Sequence, residues 1–263
     1  MENKPEKSYQ IIETGSREDW TQKPTEWQAN ADFWIKIITE NLDPFRLKLT
    51  NKAVLEYFKE KKNLSVLDAG CGEGYLCRQL AKSGHKTQGI DFNPKLIEAA
   101  LREENKKPLG VKYTVGDIKK LPYKNSSFDA ILSNHSINEL DNPKKALFEF
   151  SRVLKRGGRL IMFFLHPCFD LNPNDLKGIF PQYYFQKVKI TRDCYLVSGI
   201  RSPSAYSYLH LSLSEWLELI EKTGFSLEKI KEPHPGIPTM KSDEWWNKNF
   251  QKPLFILIQA QKR

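Results

Sequence analysis

Val66-Leu67-Asp68-Ala69-Gly70-Cys71-Gly72-Glu73-Gly74 decides how this chain folds. An apolar run closes on an acid and three glycines at alternate positions follow, the pattern of a strand tipping into a nucleoside-binding turn. Two further segments end the same way, Lys86-Thr87-Gln88-Gly89-Ile90-Asp91 and Val111-Lys112-Tyr113-Thr114-Val115-Gly116-Asp117. Each follows the last by about one βα unit, so neighbouring strands set acids along one carboxyl edge of a parallel sheet.

Working outward, the spacing predicts helices from about Tyr75 to Ser83 and from about Pro94 to Glu104. Gly84 stops the first, Asn93 caps the second and Pro94 suits its opening turn. Phe128–Asn134 reads as a buried strand, and a helix from Pro143 to Leu154 is stopped at Lys155-Arg156-Gly157-Gly158 before a fifth strand, Arg159–Leu165. Continuous apolar runs indicate strands covered on both faces, as in a doubly wound sheet. Residues 166–211 break this rhythm with aromatics, prolines and short β-like pieces. It resumes with a helix from Ser214 to Thr223 and strands Phe225–Ile230 and Pro253–Ala260. Upstream, Trp27, Phe33, Trp34, Ile37 and Ile38 recur at helical spacing, and Pro44 separates that helix from a second one reaching Phe58. We therefore expect a helical segment over residues 1–61 and one α/β domain over 62–263, with 166–211 as an aromatic-rich insertion after the fifth strand.

The 263 residues suit one large α/β domain, and 40% hydrophobic with 28% charged residues is ordinary for a soluble globular chain. No run approaches the ~20 apolar residues of a membrane span, and the polar Met1-Glu2-Asn3-Lys4-Pro5-Glu6-Lys7 has no apolar signal core, so a cytoplasmic enzyme is expected. Cysteines 71, 77, 168 and 194 match no zinc spacing and are read as free thiols, with no metal expected. The net charge of +9 is spread over single lysines and pairs interleaved with acids, which argues against a nucleic-acid face. Oligomeric state is left open.

A lone glycine-rich turn also serves nicotinamide and flavin enzymes. Here the third glycine falls at 74, where the dinucleotide fingerprint needs one at 75, and that position is Tyr75. Asp68 and Glu73 would repel a pyrophosphate. A positively charged ligand without phosphates fits better.

On these motifs the chain resembles a class I S-adenosylmethionine-dependent methyltransferase of the bacterial small-molecule type, over roughly residues 62 to 165. The resemblance implies a Rossmann-like sheet of about seven mostly parallel strands with the last antiparallel. It implies that the turn Asp68, Gly70, Cys71, Gly72 and Gly74 lies under the methionine part, that Asp91 accepts both ribose hydroxyls, and that Asp117 and the Ile118 backbone hold the adenine. The resemblance also implies that Asn134 and His135 face the sulfonium. Phe92, next to Asp91, is expected to cover a purine face, and Arg46 is the candidate for the methionine carboxylate because a guanidinium suits a planar carboxylate. The pattern Trp27-x-x-Asn30-Ala31-x-x-Trp34 resembles the family's N-terminal cap, which makes 1–61 a helical cap, makes Trp27 and Trp34 either acceptor contacts or staples of the cap to the core, and makes the 166–211 insertion a cover for the acceptor site. His166, in His166-Pro167-Cys168-Phe169, and His210, before Leu211-Ser212-Leu213-Ser214, resemble family segments and are the candidate bases. Phe169, Tyr184 and Tyr206 are candidate acceptor contacts, with a small hydrophobic or aromatic acceptor expected. S-adenosylmethionine is then the cofactor and S-adenosylhomocysteine its product. The alternative is an RNA or tRNA methyltransferase on the same fold, although Ser133-Asn134-His135-Ser136 is not the base-methylation signature.

Overall fold

A computed structural model describes residues 9–12, 25–168, 184–185, 187–192, 194–242 and 244–263. Its centre is a seven-stranded sheet of β2 (Ser65–Ala69), β3 (Lys86–Asp91), β4 (Lys112–Val115), β5 (Phe128–Asn134), β6 (Leu154–Leu165), β11 (Phe225–Lys231) and β12 (Phe255–Lys262), in the order β11-β12-β6-β5-β2-β3-β4. Strands β4, β3, β2, β5 and β6 run parallel, while β12 is antiparallel to both β6 and β11. The chain steps outward from β2 to β4, then returns to the other side of β2 to begin β5. That reversal opens a crevice at the carboxyl ends of β2 and β5, where ligands bind in sheets of this type.

Successive strand residues alternate between two apolar layers, as pleating requires. Leu67, Ile131, Leu160, Met162 and Phe164 pack with α5 (Pro143–Val153) and α6 (Leu213–Lys222) through Leu147, Phe150, Trp216 and Ile220. Val66, Ala130, Leu132, Ile161 and Phe163 face the other way, onto Val54 of α2 (Asn51–Leu55) and Leu76 and Leu80 of α3 (Tyr75–Lys82). Each large side chain in these layers gains roughly 1.5–3 kcal/mol from burial. The helix α4 (Pro94–Lys106) starts where the sequence expects: the Asn93 side chain accepts from the Lys95 N–H at 3.0 Å, and Pro94 needs no partner. Ser212 and Glu215 form a reciprocal capping box at the start of α6.

Helix α1 (Thr25–Thr39) is followed by a π-helical turn, Arg46–Thr50, that leads into α2. Residues 188–210 supply β7 (Val188–Arg192), the ribbon of β8 (Leu196–Val197) and β9 (Ile200–Arg201), and β10 (Tyr206–His210). With β1 (Tyr9–Ile12) and β10 on either side of β7, they make a second, three-stranded sheet.

Two features depart from the sequence reading. Lys155–Gly158 is no loop after a helix: β6 begins at Leu154, and these residues form a bulge between the pairs Phe128–Leu154 and Ala130–Arg159, eased by Gly157 at φ +75°. Two short helices, α7 (Ile237–Ser242) and α8 (Glu244–Asn249), were not anticipated. They bring Trp246 to 5.0 Å from Phe250 and 5.4 Å from Phe45, ring centre to ring centre, which ties the cap region to the sheet's end.

Candidate active site

Strand β2 ends in a turn whose backbone only glycine adopts easily. Gly70, Gly72 and Gly74 have φ of +83°, +56° and +81°. A Cβ on Gly70 would stand 2.3 Å from that of Ser136, whose hydroxyl donates to the Ala69 carbonyl at 2.6 Å. The β2 and β5 loops are thus pressed together at the crevice. Gly74 faces the Tyr113 ring, 2.6 Å from where its Cβ would be, and does not line the cavity.

A cavity of about 670 Å³ opens over this turn, within the range of small-molecule sites. Asp68, Gly70, Cys71, Gly72, Asp91, Phe92, Asp117, Ile118, Asn134, His135, Arg46, Trp27, Trp34 and Tyr206, all singled out in the sequence, line it together.

Asp91 is organised from behind. One carboxylate oxygen accepts from the Gly72 N–H and the other from the Asn93 N–H, each at 2.9 Å, which leaves further lone pairs for a ligand. Burial raises its pKa and these backbone donors oppose the rise. Asn93 in turn donates to the Trp27 carbonyl at 3.0 Å, fastening the cap helix over the end of β3.

Asp68 is deeper. Its Oδ2 accepts from the Cys77 thiol at 3.3 Å while its Oδ1 is buried with no partner. Burial pushes its pKa up to about 7, with Asp91 and Glu73 adding repulsion. An under-satisfied buried acid of this kind is suited to a cationic ligand. Asp117 is exposed at the cavity's other end and accepts from the Lys119 N–H at 2.8 Å.

At the end of β5, the amide of Asn134 donates to the Tyr75 hydroxyl at 3.4 Å and its carbonyl oxygen is buried unpaired. His135 adopts the left-handed region at φ +52°, with its ring edge-on to Phe163 and Phe255. Burial lowers its pKa to about 4, so it is neutral at physiological pH. The Arg46 guanidinium lies 4.9 Å from the centre of the Tyr75 ring and donates to the Ile38 carbonyl and to Asn41. Its Nε is buried and unpaired.

The two histidines expected as bases are elsewhere. Leu165 lines the cavity, so His166, one residue on, is turned away by strand alternation. Its Nδ1 accepts from the Cys168 N–H at 3.1 Å and its Nε2 lies 3.0 Å from Glu232, which uses up the one lone pair of a neutral ring. His210 is buried with Nε2 3.3 Å from the Tyr184 carbonyl, and it too is absent from the lining. Tyr184 also stands outside; its hydroxyl accepts from the Leu213 N–H and the Cys168 thiol. Phe169 lies outside the described residues. Trp216 packs on Phe164 in the core.

The cavity also contains residues that the sequence reading left without a role at the site: Asp43, Tyr75, Glu139, Tyr195 and Tyr208. Tyr195 stacks on Tyr206 at 3.5 Å and meets Trp34 edge-on at 4.8 Å. Glu139 belongs to a single 3₁₀ turn, Ile137–Glu139. Its position four residues after His135 was the only local signal. Tyr75, first in the helix after the glycine turn, was the easiest to find.

A family model described as a methyltransferase domain matches residues 67–162. A demethylmenaquinone methyltransferase of Tropheryma whipplei is 34% identical over 166 residues, 62% of this chain and 64% of that one. The alignment thus spans just under two thirds of that relative's length. One of Deinococcus radiodurans is 31% identical over 61% of this chain and 67% of its own. Among solved structures, an S-adenosylmethionine-dependent methyltransferase from Mesorhizobium loti superposes with a TM-score of 0.66 at 20% identity, covering 80% of this chain and 96% of that one. No helix among the described residues is long and apolar enough to cross a membrane.

Proposed function

This chain belongs to the class I S-adenosylmethionine-dependent methyltransferases, and from that premise we propose that it transfers a methyl group to an O, N or C atom of a small hydrophobic or aromatic molecule. One observation carries the reading: acids at the ends of β2 and β3 and just beyond β4 share a single cavity with an aromatic roof. Bound there, S-adenosylmethionine supplies a methyl carbon on a positively charged sulfur, open to in-line attack.

The chain's own groups divide the work. Asp91, with its two oxygens already aligned by backbone donors, holds the ribose hydroxyls. Asp117 and the Ile118 backbone hold the adenine beside Phe92, and the turn from Asp68 to Gly74 carries the methionine portion. Gly74 serves that turn by letting Tyr113 pack close. Arg46, steadied by Ile38, Asn41 and Tyr75, faces the methionine carboxylate. Asn134 and neutral His135 wall the sulfonium without adding charge. Trp27, Trp34 and Tyr206 exclude water and align the acceptor, so that proximity and orientation lower the barrier to the displacement. We assign His166 and His210, which stand outside the cavity, to structural contacts with Cys168, Glu232 and Tyr184. The described residues within 1–61 act as the cap on a cofactor domain of 62–263, and those within 166–211 close the acceptor side.

The test is direct. S-adenosylmethionine, but not NAD, should raise the melting temperature, and label from its methyl group should reach small aromatic acceptors and not tRNA. Stabilisation by NAD alone, or labelling of tRNA with a steep salt dependence, would overturn this reading.

A further inference from the structure

Trp27, Asn30 and Trp34 stand three and four residues apart on α1, so they form one stripe along a single face of the helix. Both tryptophans line the cavity. Asn30 is 1% exposed and clamps the loop before β10: its Nδ2 donates to the carbonyls of Ser204 and Ala205 at 3.1 and 3.2 Å, and its Oδ1 accepts from the Ser204 N–H at 3.0 Å. Ser202 extends the clamp, because its hydroxyl donates to the Ser204 carbonyl and accepts from the Tyr195 N–H, each at 2.9 Å. The loop that carries the stacked rings of Tyr195 and Tyr206 is therefore gripped by one buried amide of α1, while Trp34 meets Tyr195 edge-on.

The start of the same stripe reaches the end of β3. Asn93, fully buried, donates from Nδ2 to the Trp27 carbonyl at 3.0 Å, caps α4 with its Oδ1, and donates its backbone N–H to Asp91 Oδ1 at 2.9 Å. One residue thus joins the carboxylate assigned to the ribose to the helix that walls the acceptor chamber. The neighbouring ion pair of Lys95 with Asp32 is exposed and adds little to that joint. Ribose hydroxyls on Asp91 would fix the plane of its carboxylate and with it the Asn93 N–H. The bond to Trp27 then passes that order into α1, and the Asn30 clamp passes it on to Tyr195 and Tyr206. Buried, satisfied hydrogen bonds are costly to break, so the links hold as a unit. We propose that Asn93 and Asn30 are positioning residues that make the order of the acceptor chamber depend on an occupied ribose site. This rests on the methyltransferase reading and adds to it the residues through which cofactor prepares the place for acceptor. Ordering met by the first ligand lowers the cost of binding the second, and the coupling is reciprocal.

Hydrogen–deuterium exchange on the full chain, with and without saturating S-adenosylhomocysteine, reads this coupling. In the wild type the ligand should slow amide exchange at least about fivefold across residues 25–39 and 202–206. Asn93→Ser keeps an oxygen to cap α4 and the backbone N–H to Asp91, but its side chain is too short to reach the Trp27 carbonyl. It should still bind S-adenosylhomocysteine by calorimetry, while the slowing falls below about twofold in both segments. Asn30→Ala should keep the slowing in 25–39 and lose it in 202–206. A merely structural role for either residue would speed exchange equally with and without the ligand and leave the ratio at its wild-type value. Wild-type exchange that ignores the bound ligand in these segments, or an undiminished ratio in Asn93→Ser or at 202–206 in Asn30→Ala, overturns the inference and leaves the cofactor reading intact. Failure of S-adenosylhomocysteine to bind the wild type overturns both.

Discussion

Asp68→Asn should make the ligand-free protein more stable and its cofactor more weakly bound. Asp68 is 1% exposed, has one oxygen with no partner, and is pushed by burial to a pKa of about 7. Its unfolded value is near the usual ~3.9. Because the folded value is the higher, the folded state keeps a proton that the unfolded chain has already lost as pH rises through the interval between them. Stability contributed by this group is therefore full below about pH 4 and falls until about pH 7. A displacement of about three pH units corresponds to roughly 4 kcal/mol at pH 8. Asparagine keeps the shape and an acceptor for the Cys77 thiol and carries no charge, so about 1–3 kcal/mol of that should return at pH 8 and little at pH 5. Urea unfolding at both pH values measures it. Binding runs the other way. A cation favours ionised Asp68, so wild-type affinity for S-adenosylmethionine should drop by up to about tenfold per pH unit below pH 7. Asp91, also raised by burial, adds to that slope. Asp68→Asn should bind weakly with a flatter pH profile. A variant that is no more stable at pH 8, or that retains the full wild-type slope, would refute the reasoning.

Asp91→Asn loses one acceptor and sets an amide N–H against the Gly72 or Asn93 N–H; S-adenosylhomocysteine affinity should fall about 10- to 150-fold by calorimetry, and a change under twofold would remove Asp91 from the site. Gly74→Ala meets both the left-handed backbone and the Tyr113 ring, so denaturant unfolding should show a loss of at least about 2 kcal/mol, and a neutral outcome contradicts the packing described. Asn93→Ala removes the cap of α4 and the tie to Trp27: stability should drop by about 1 kcal/mol, with faster amide exchange across residues 25–39. His166→Asn and His210→Asn should lower the melting temperature while kcat stays within about threefold, whereas an abolished kcat in a folded variant would return either histidine to the chemistry.

The half of the cavity proposed for the cofactor was legible because it is local. Each acid closes its own strand or the turn just beyond it, and each strand is a short apolar run bounded by turn residues, so Asp68, Asp91 and Asp117 announce themselves without knowledge of the fold. The half proposed for the acceptor is assembled from α1, the 3₁₀ turn at 137–139 and the segment 195–208, which are distant in sequence. Glu139 has no periodicity to betray it, and Tyr195 precedes a two-residue strand. His166 was legible as a strand-end histidine, but its side of the sheet is set by register, and one residue decides whether it faces the cavity or Glu232. The bulge in β6 has a similar origin: Lys155-Arg156-Gly157-Gly158 carries helix-stop residues, yet Leu154 already pairs with Phe128. The small helices, one carrying Trp246 and leading to Phe250, are too short to show a period and are held by tertiary packing on Phe45.

A crystal structure of the full chain with S-adenosylhomocysteine tests the central claim most directly. The ribose hydroxyls should lie about 3 Å from the Asp91 carboxylate, the adenine beside Asp117 and Ile118, and the sulfur should open toward Glu139 and the aromatic roof. An adenosine bound away from the ends of β2 and β3, or no bound ligand at saturating concentration, would contradict it.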